Sequence, residues 1–161
     1  MAPRCSSVVQ TLADFADVFE ALNRNSVQYV VVSGVAVVLH GHIRPVFDLD
    51  IVTGAVPEEQ DRALHTLMHA GFVPSIPVPL HMLTVLRMFD QAQREIDLFV
   101  RYHISFDKLW ASSEQRQVGD QLARVISLEH LLQAKRIIGR EHDLMDVEAL
   151  LVLQDERTAR K

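Results

Sequence analysis

Hydrophobic and polar positions change period several times along the chain, and each change marks an element. Leu12, Phe15, Val18, Phe19 and Leu22 recur at helical spacing, which predicts a helix over residues 11–23 with Thr11 as its cap and Asp14 placed as in a capping box. Asn23-Arg24-Asn25-Ser26 reads as a turn. Residues 29–32, Tyr-Val-Val-Val, are aromatic and β-branched and predict a buried strand closed by Ser33-Gly34. A short apolar helix over 35–39 is ended by Gly41, and Pro45 disfavours a helical Arg44, returning the chain to extended structure. In Phe47-Asp48-Leu49-Asp50-Ile51 the period is two, which sends Phe47, Leu49 and Ile51 to one face and both aspartates to the other.

Thr53-Gly54 breaks the pattern, and Pro57-Glu58-Glu59 opens a helix that runs to about residue 70, with its acidic residues at the favourable end. Pro74, Pro77 and Pro79 predict a loop at the edge of the site. Residues 81–89 and 94–100 read as two strands of a hairpin turned at Asp90-Gln91-Ala92-Gln93. In the second, Glu95, Asp97 and Phe99 share one face, and a carboxylate on so apolar a strand is costly without a partner. A short helix after Ser105 buries Leu109 and Trp110, and 117–126 reads as a hairpin turned at Gly119-Asp120. Ser127 caps a helix over 128–138, Gly139 breaks it, and a second helix runs from 141 to about 153, leaving 157–161 frayed. This order predicts an α/β (α+β) domain, a mixed β-sheet flanked by helices, with a core over about 11–126 and a C-terminal helical pair over about 127–155.

Composition narrows the function classes. At 161 residues, 48% hydrophobic and 23% charged, the chain is one globular domain's worth. Its net charge of -5 argues against a surface that coats nucleic acid. Cys5 is the only cysteine, which excludes an intramolecular disulfide framework and a cysteine-based zinc site. The apolar stretches are too short to span a bilayer and the N-terminus shows no signal-peptide core, so a cytoplasmic location is expected. His65 and His69, four apart on one helix, read as a solvated face, and His40 and His42 beside Gly41 read as a polar turn.

The chemistry concentrates in residues 29–53. Asp48 and Asp50 point the same way and repel each other, which a hard divalent cation relieves, and oxygen ligands at this spacing suit Mg²⁺ shared with substrate phosphates. Taken alone, the pair is explained better by an amphipathic edge strand with a wet face. Ser33-Gly34 upstream offers small residues and a helix start to an anion. With Ser33-Gly34, His40-Gly41, Arg44 and Asp48-Leu49-Asp50 in this order, the stretch resembles the signature of the DNA polymerase β-like nucleotidyltransferase superfamily, closest to small bacterial members that include antibiotic-modifying enzymes and toxin–antitoxin components. Ser33 stands where many relatives carry glycine.

The resemblance implies an Mg²⁺-dependent enzyme that transfers a nucleoside monophosphate from a nucleoside triphosphate, ATP among the donors, to an acceptor hydroxyl. It makes Asp97 the third carboxylate beside Asp48 and Asp50, with Glu95 on the same face as the alternative. It also gives the later helices a role. On the stripe Leu128, Leu131, Leu132, Lys135, Ile138 a lysine replaces an apolar residue, which fits either a snorkelling side chain or a phosphate ligand. The resemblance favours the ligand, and it makes Arg140 in Arg140-Glu-His-Asp143-Leu-Met-Asp146 a second contact for phosphate or acceptor, with Asp143 and Asp146 able to hold that arginine. Ser33, Gly34, Arg44, Lys135 and Arg140 are thus the expected nucleotide-binding residues. The acceptor, whether small molecule, tRNA or protein, is left open and would come from solution, a homodimer mate or a toxin–antitoxin partner. A partner-binding component with weak or no transferase activity is the rival reading.

Overall fold

The computed structural model describes residues 12–161. The expectations for Cys5, the N-terminal segment and the Thr11 cap fall outside them. Among the described residues the elements follow in the order α1 (Ala16–Arg24), β1 (Tyr29–Val32), α2 (Ser33–Leu39), β2 (Leu49–Thr53), α3 (Pro57–His69), β3 (Val73–Pro74), β4 (Val85–Phe89), β5 (Glu95–Phe99), α4 (Phe106–Ser112), β6 (Glu114–Val118), β7 (Gln121–Val125), α5 (Leu128–Ile138) and α6 (Glu141–Ala159). The strands form one mixed sheet in the order β3-β4-β5-β2-β1-β7-β6. This is the expected α/β architecture with its C-terminal helical pair.

Strand β2 lies at the centre, antiparallel to β1 and parallel to β5. Alternation sends Leu49, Ile51, Leu86, Met88, Ile96 and Leu98 into a closed core with Phe15, Phe19, Leu22 and Leu67. At 0–2% exposure these side chains supply the main hydrophobic stabilisation of the domain, at roughly 25 cal/mol per Å² removed from water. On the opposite face of β4, Val85, Arg87 and Phe89 are exposed, so the sheet has an open side there. That opening admits the site.

Local chemistry sets the ends of the elements. Ser127 caps α5 by accepting the backbone N–H of His130, and Gly139 takes the left-handed conformation (φ 66°) that closes it. Strand β2 starts at Leu49, one residue after Asp48, because ladder pairing begins with Leu49 opposite Ile96. Period two governs only residues inside the ladder, so Phe47 does not join the core face as expected and is 56% exposed.

Several other expectations change. Pro74 forms a two-residue edge strand with β4, a place where a missing N–H costs nothing, and the proline-rich loop lies away from the site. The strand expected from residue 81 begins at Val85, because Leu80–Met82 form a 3-10 turn. The first helix enters through a 3-10 turn over Leu12–Phe15. Helix α6 continues to Ala159, and Arg157 is not frayed: its guanidinium donates to the His40 carbonyl at 2.7 Å. His40 is not a polar turn residue but is buried, with Nε2 at 2.7 Å from the Ile126 carbonyl oxygen, and burial lowers its pKa.

Candidate active site

Sheet register brings the acidic residues together. Asp50 on β2 lies opposite Asp97 on β5, and Asp48 stands just before β2. Carboxylate oxygens of the three aspartates lie within 4.8 Å of one another. Burial and the charges of Asp48 and Asp97 push Asp50 up to about 8, against an opposing contribution from the Ser33 side chain. Burial likewise raises Asp48. Oδ1 of Asp50 is buried without a hydrogen-bond partner. Three converging carboxylates with one orphaned buried oxygen form a hard, all-oxygen donor set, and this fits a divalent cation of the Mg²⁺ class.

Asp97 has a partner that the sequence analysis missed. Arg87 sits directly opposite it on β4 and grips it with two parallel bonds, Nε to Oδ1 at 2.9 Å and Nη2 to Oδ2 at 3.0 Å. Its Nε also lies 3.2 Å from Glu95 Oε1. The sequence held half of the signal, a hairpin turned at residues 90–93 that lays β4 beside β5; the observed pairing of Phe89 with Glu95, one residue off the Phe89–Arg94 pairing that a four-residue turn gives, sets Arg87 opposite Asp97. Glu95, the alternative third carboxylate, faces Arg87 and lies outside the three-aspartate cluster.

The small-residue turn forms the opposite wall. Helix α2 begins at Ser33 itself, which takes a positive φ of 59°, and the Arg44 guanidinium lies over Gly34 so closely that a Cβ there would meet its Nη2 at 3.1 Å. Arg44 in turn binds Asp146 of α6, Nη2 to Oδ2 at 3.0 Å.

Lys135 is only 4% exposed, so its ammonium does not snorkel to water. Its Nζ lies 3.0 Å from both Asp143 Oδ1 and Asp146 Oδ2. Burial acts to raise Asp143, but hydrogen bonds from Arg140, with Nε at 2.7 Å, and from Lys135 outweigh it and hold its pKa low. Three cations therefore share two carboxylates, and this network ties α5 and α6 to the loop after α2. Ser33, Gly34, Arg44, Asp48, Asp50, Asp97, Lys135 and Arg140 all line one cleft of about 840 Å³. Phe47, Phe99, Tyr102 and Met145 add an apolar and aromatic wall that the sequence did not single out. Burial, with Asp50 and Asp143 nearby, raises the pKa of Tyr102. His65 and His69 are exposed on α3, away from the cleft.

No family model matches the sequence, and no curated protein matches it either. Solved structures do. The chain is similar to the lincosamide antibiotic adenylyltransferase LnuA in its lincomycin-bound form (TM-score 0.64, 18% identity, covering 88% of this chain and 96% of that one). It is also similar to an antigenic nucleotidyltransferase-like protein from Paracoccidioides brasiliensis (TM-score 0.63, 17% identity, 88% and 76% covered). A candidate nucleotidyltransferase from Thermotoga maritima superposes with a TM-score of 0.62 at 16% identity, with 90% and 92% covered. Likeness at this level of identity establishes the fold: the chain has the nucleotidyltransferase fold.

Proposed function

We propose that this chain, with the nucleotidyltransferase fold as premise, is an Mg²⁺-dependent nucleotidyltransferase. The observation that carries the proposal is the convergence of Asp48, Asp50 and Asp97, with the buried, unpartnered Oδ1 of Asp50, at the wall of a cleft that Arg44, Arg87 and Arg140 also line. Asp48, Asp50 and Asp97 are the ligand set for the cation. A bound divalent cation supplies positive charge at phosphate oxygens. Ser33 and Gly34 border the triphosphate, and Arg44, Arg140 and Lys135 set a positive potential along it. Lys135 acts through Asp143 and Asp146, to which it is bound.

Asp97 accepts the proton of the acceptor hydroxyl at a carboxylate oxygen. The acceptor oxygen bonds to the α-phosphorus, the bond from that phosphorus to the bridging oxygen breaks, and pyrophosphate leaves. LnuA is by name an adenylyltransferase acting on a lincosamide, so ATP and small hydroxylated molecules are the donor and acceptors to try first. The reading takes residues 1–161 as a single nucleotidyltransferase-like domain working in the cytoplasm, where nucleoside triphosphates are plentiful.

Among the described residues no helix is long and apolar enough to cross a membrane. One observation favours the rival reading, a toxin–antitoxin component that binds a partner or a homodimer mate and transfers weakly or not at all: the Arg87 guanidinium neutralises Asp97. The experiment is calorimetry of ATP and the other nucleoside triphosphates with Mg²⁺ and then with EDTA, followed by pyrophosphate release over an acceptor panel. Metal-dependent binding with turnover supports the enzyme, and binding without turnover for any acceptor supports the rival. Triphosphate binding that is indifferent to metal and to an Asp48→Asn/Asp50→Asn change sinks the metal-dependent enzyme.

A further inference from the structure

Across the sheet at one level stand Arg87 of β4, Asp97 of β5 and Asp50 of β2, in direct register. Both oxygens of Asp97 are taken by the Arg87 guanidinium, at 2.9 and 3.0 Å. Two residues along β5 on the same face is Glu95, whose Oε1 lies 3.2 Å from the same Nε. One arginine therefore faces two carboxylates, of which one belongs to the three-aspartate cluster and the other does not. Its side chain is half exposed, so it moves without disturbing the core.

We propose that Arg87 is a built-in counter-ion for the metal centre, which pairs with Asp97 while no cation is bound and shifts to Glu95 when a cation takes an Asp97 oxygen. The proposal rests on the reading of Asp48, Asp50 and Asp97 as a metal centre.

Two physical arguments support it. A guanidinium forked on a carboxylate uses both oxygens in its plane, so a cation and Arg87 compete for the same lone pairs. Glu95 makes the exchange cheap, because the released guanidinium keeps a carboxylate partner within reach of its present position rather than facing water alone. A structural pair needs no second acceptor. The consequence is that bare cations bind weakly. A cation arriving together with a triphosphate is favoured, because Arg87 also lines the cleft and its freed donors then face phosphate charge. Arg87 is accordingly a positioning residue that sets the order of loading.

The test measures the metal alone, with no nucleotide present. Mn²⁺ is titrated into the full chain and the free ion is followed by electron paramagnetic resonance, with Mg²⁺ calorimetry in parallel. Arg87→Gln removes the competitor, and its affinity for bare Mn²⁺ is expected to rise about tenfold, the scale of one charge acting at a half-exposed contact. Glu95→Gln removes the resting place and is expected to weaken bare Mn²⁺ several-fold. In the Arg87→Gln background the same Glu95→Gln change is expected to move affinity less than about twofold, because Glu95 then has nothing to hold. Arg87→Lys, which keeps the charge without the fork, is expected to fall between parent and Arg87→Gln.

An Arg87→Gln protein that binds Mn²⁺ no more tightly than the parent overturns the proposal. So does a Glu95→Gln effect of equal size in both backgrounds, which would make Glu95 a simple distant charge. Should neither the parent nor Arg87→Gln bind Mn²⁺ at all, the metal centre itself falls, a result distinct from the failure of the counter-ion.

Discussion

Lys135→Met tests the C-terminal network by a measurement that needs no nucleotide. The lysine is 4% exposed and its ammonium holds two carboxylates at 3.0 Å each, on Asp143 and Asp146, which are 0% and 4% exposed. Methionine preserves the packed stem and removes the charge. Breaking a buried ion pair by deleting one partner costs about 3–5 kcal/mol, because the remaining charge stays buried without compensation. Here each carboxylate retains an arginine, Asp143 with Arg140 at 2.7 Å and Asp146 with Arg44 at 3.0 Å. Those arginines are more exposed than the lysine, so they recover only part of the loss. The expected cost is about 2–4 kcal/mol, below the full penalty for an orphaned charge. At about 2–4 °C per kcal/mol for a domain of this size, Tm falls by roughly 5–15 °C. Urea unfolding followed by circular dichroism supplies the free energy, and calorimetry supplies Tm. Adding Asp146→Asn to Lys135→Met should recover part of the loss, since it removes one of the stranded charges. A Lys135→Met protein within about 1 kcal/mol of the parent would refute the reasoning and return Lys135 to the solvated role that its place on the helix stripe also allowed.

The remaining predictions concern the cleft. With its folded pKa pushed to about 8 from 3.8, Asp50 binds more protons folded than unfolded, so metal-free stability falls as pH rises from about 4 to 8. Asp50→Asn should flatten that slope and raise stability at neutral pH, and a slope unchanged by the substitution would count against the burial of this charge. Asp97→Asn should retain most Mg²⁺–triphosphate affinity by calorimetry while transfer drops on the order of 10²–10⁴, the usual worth of a general base; equal pyrophosphate release would move the role to Glu95. Gly34→Val should displace the Arg44 guanidinium, 3.1 Å from the Cβ it introduces, and weaken triphosphate binding, with unchanged affinity arguing that Arg44 lies outside the nucleotide path.

Alternation and helical spacing along the chain are local properties, and they determined the elements. Tyr29–Val32 and Leu128–Ile138 stand where the pattern put them, because β-branched runs and a serine cap act within a few residues. The same locality placed Asp48 and Asp50 beside each other and put Glu95 and Asp97 on a common face. What the sequence did not carry was cross-strand register and the contacts of long side chains. Asp97 meets Asp50 because β5 runs parallel beside β2, and that adjacency follows from the way the whole sheet buries its apolar face rather than from either strand. Phe47 left the core face because pairing starts two residues later. On its apolar stripe Lys135 read as a snorkelling side chain or a phosphate ligand, and only the return of α6 across α5 supplied Asp143 and Asp146 to keep its charge inside. A buried charge is tolerable only with partners, and partners from distant segments are chosen by the tertiary structure.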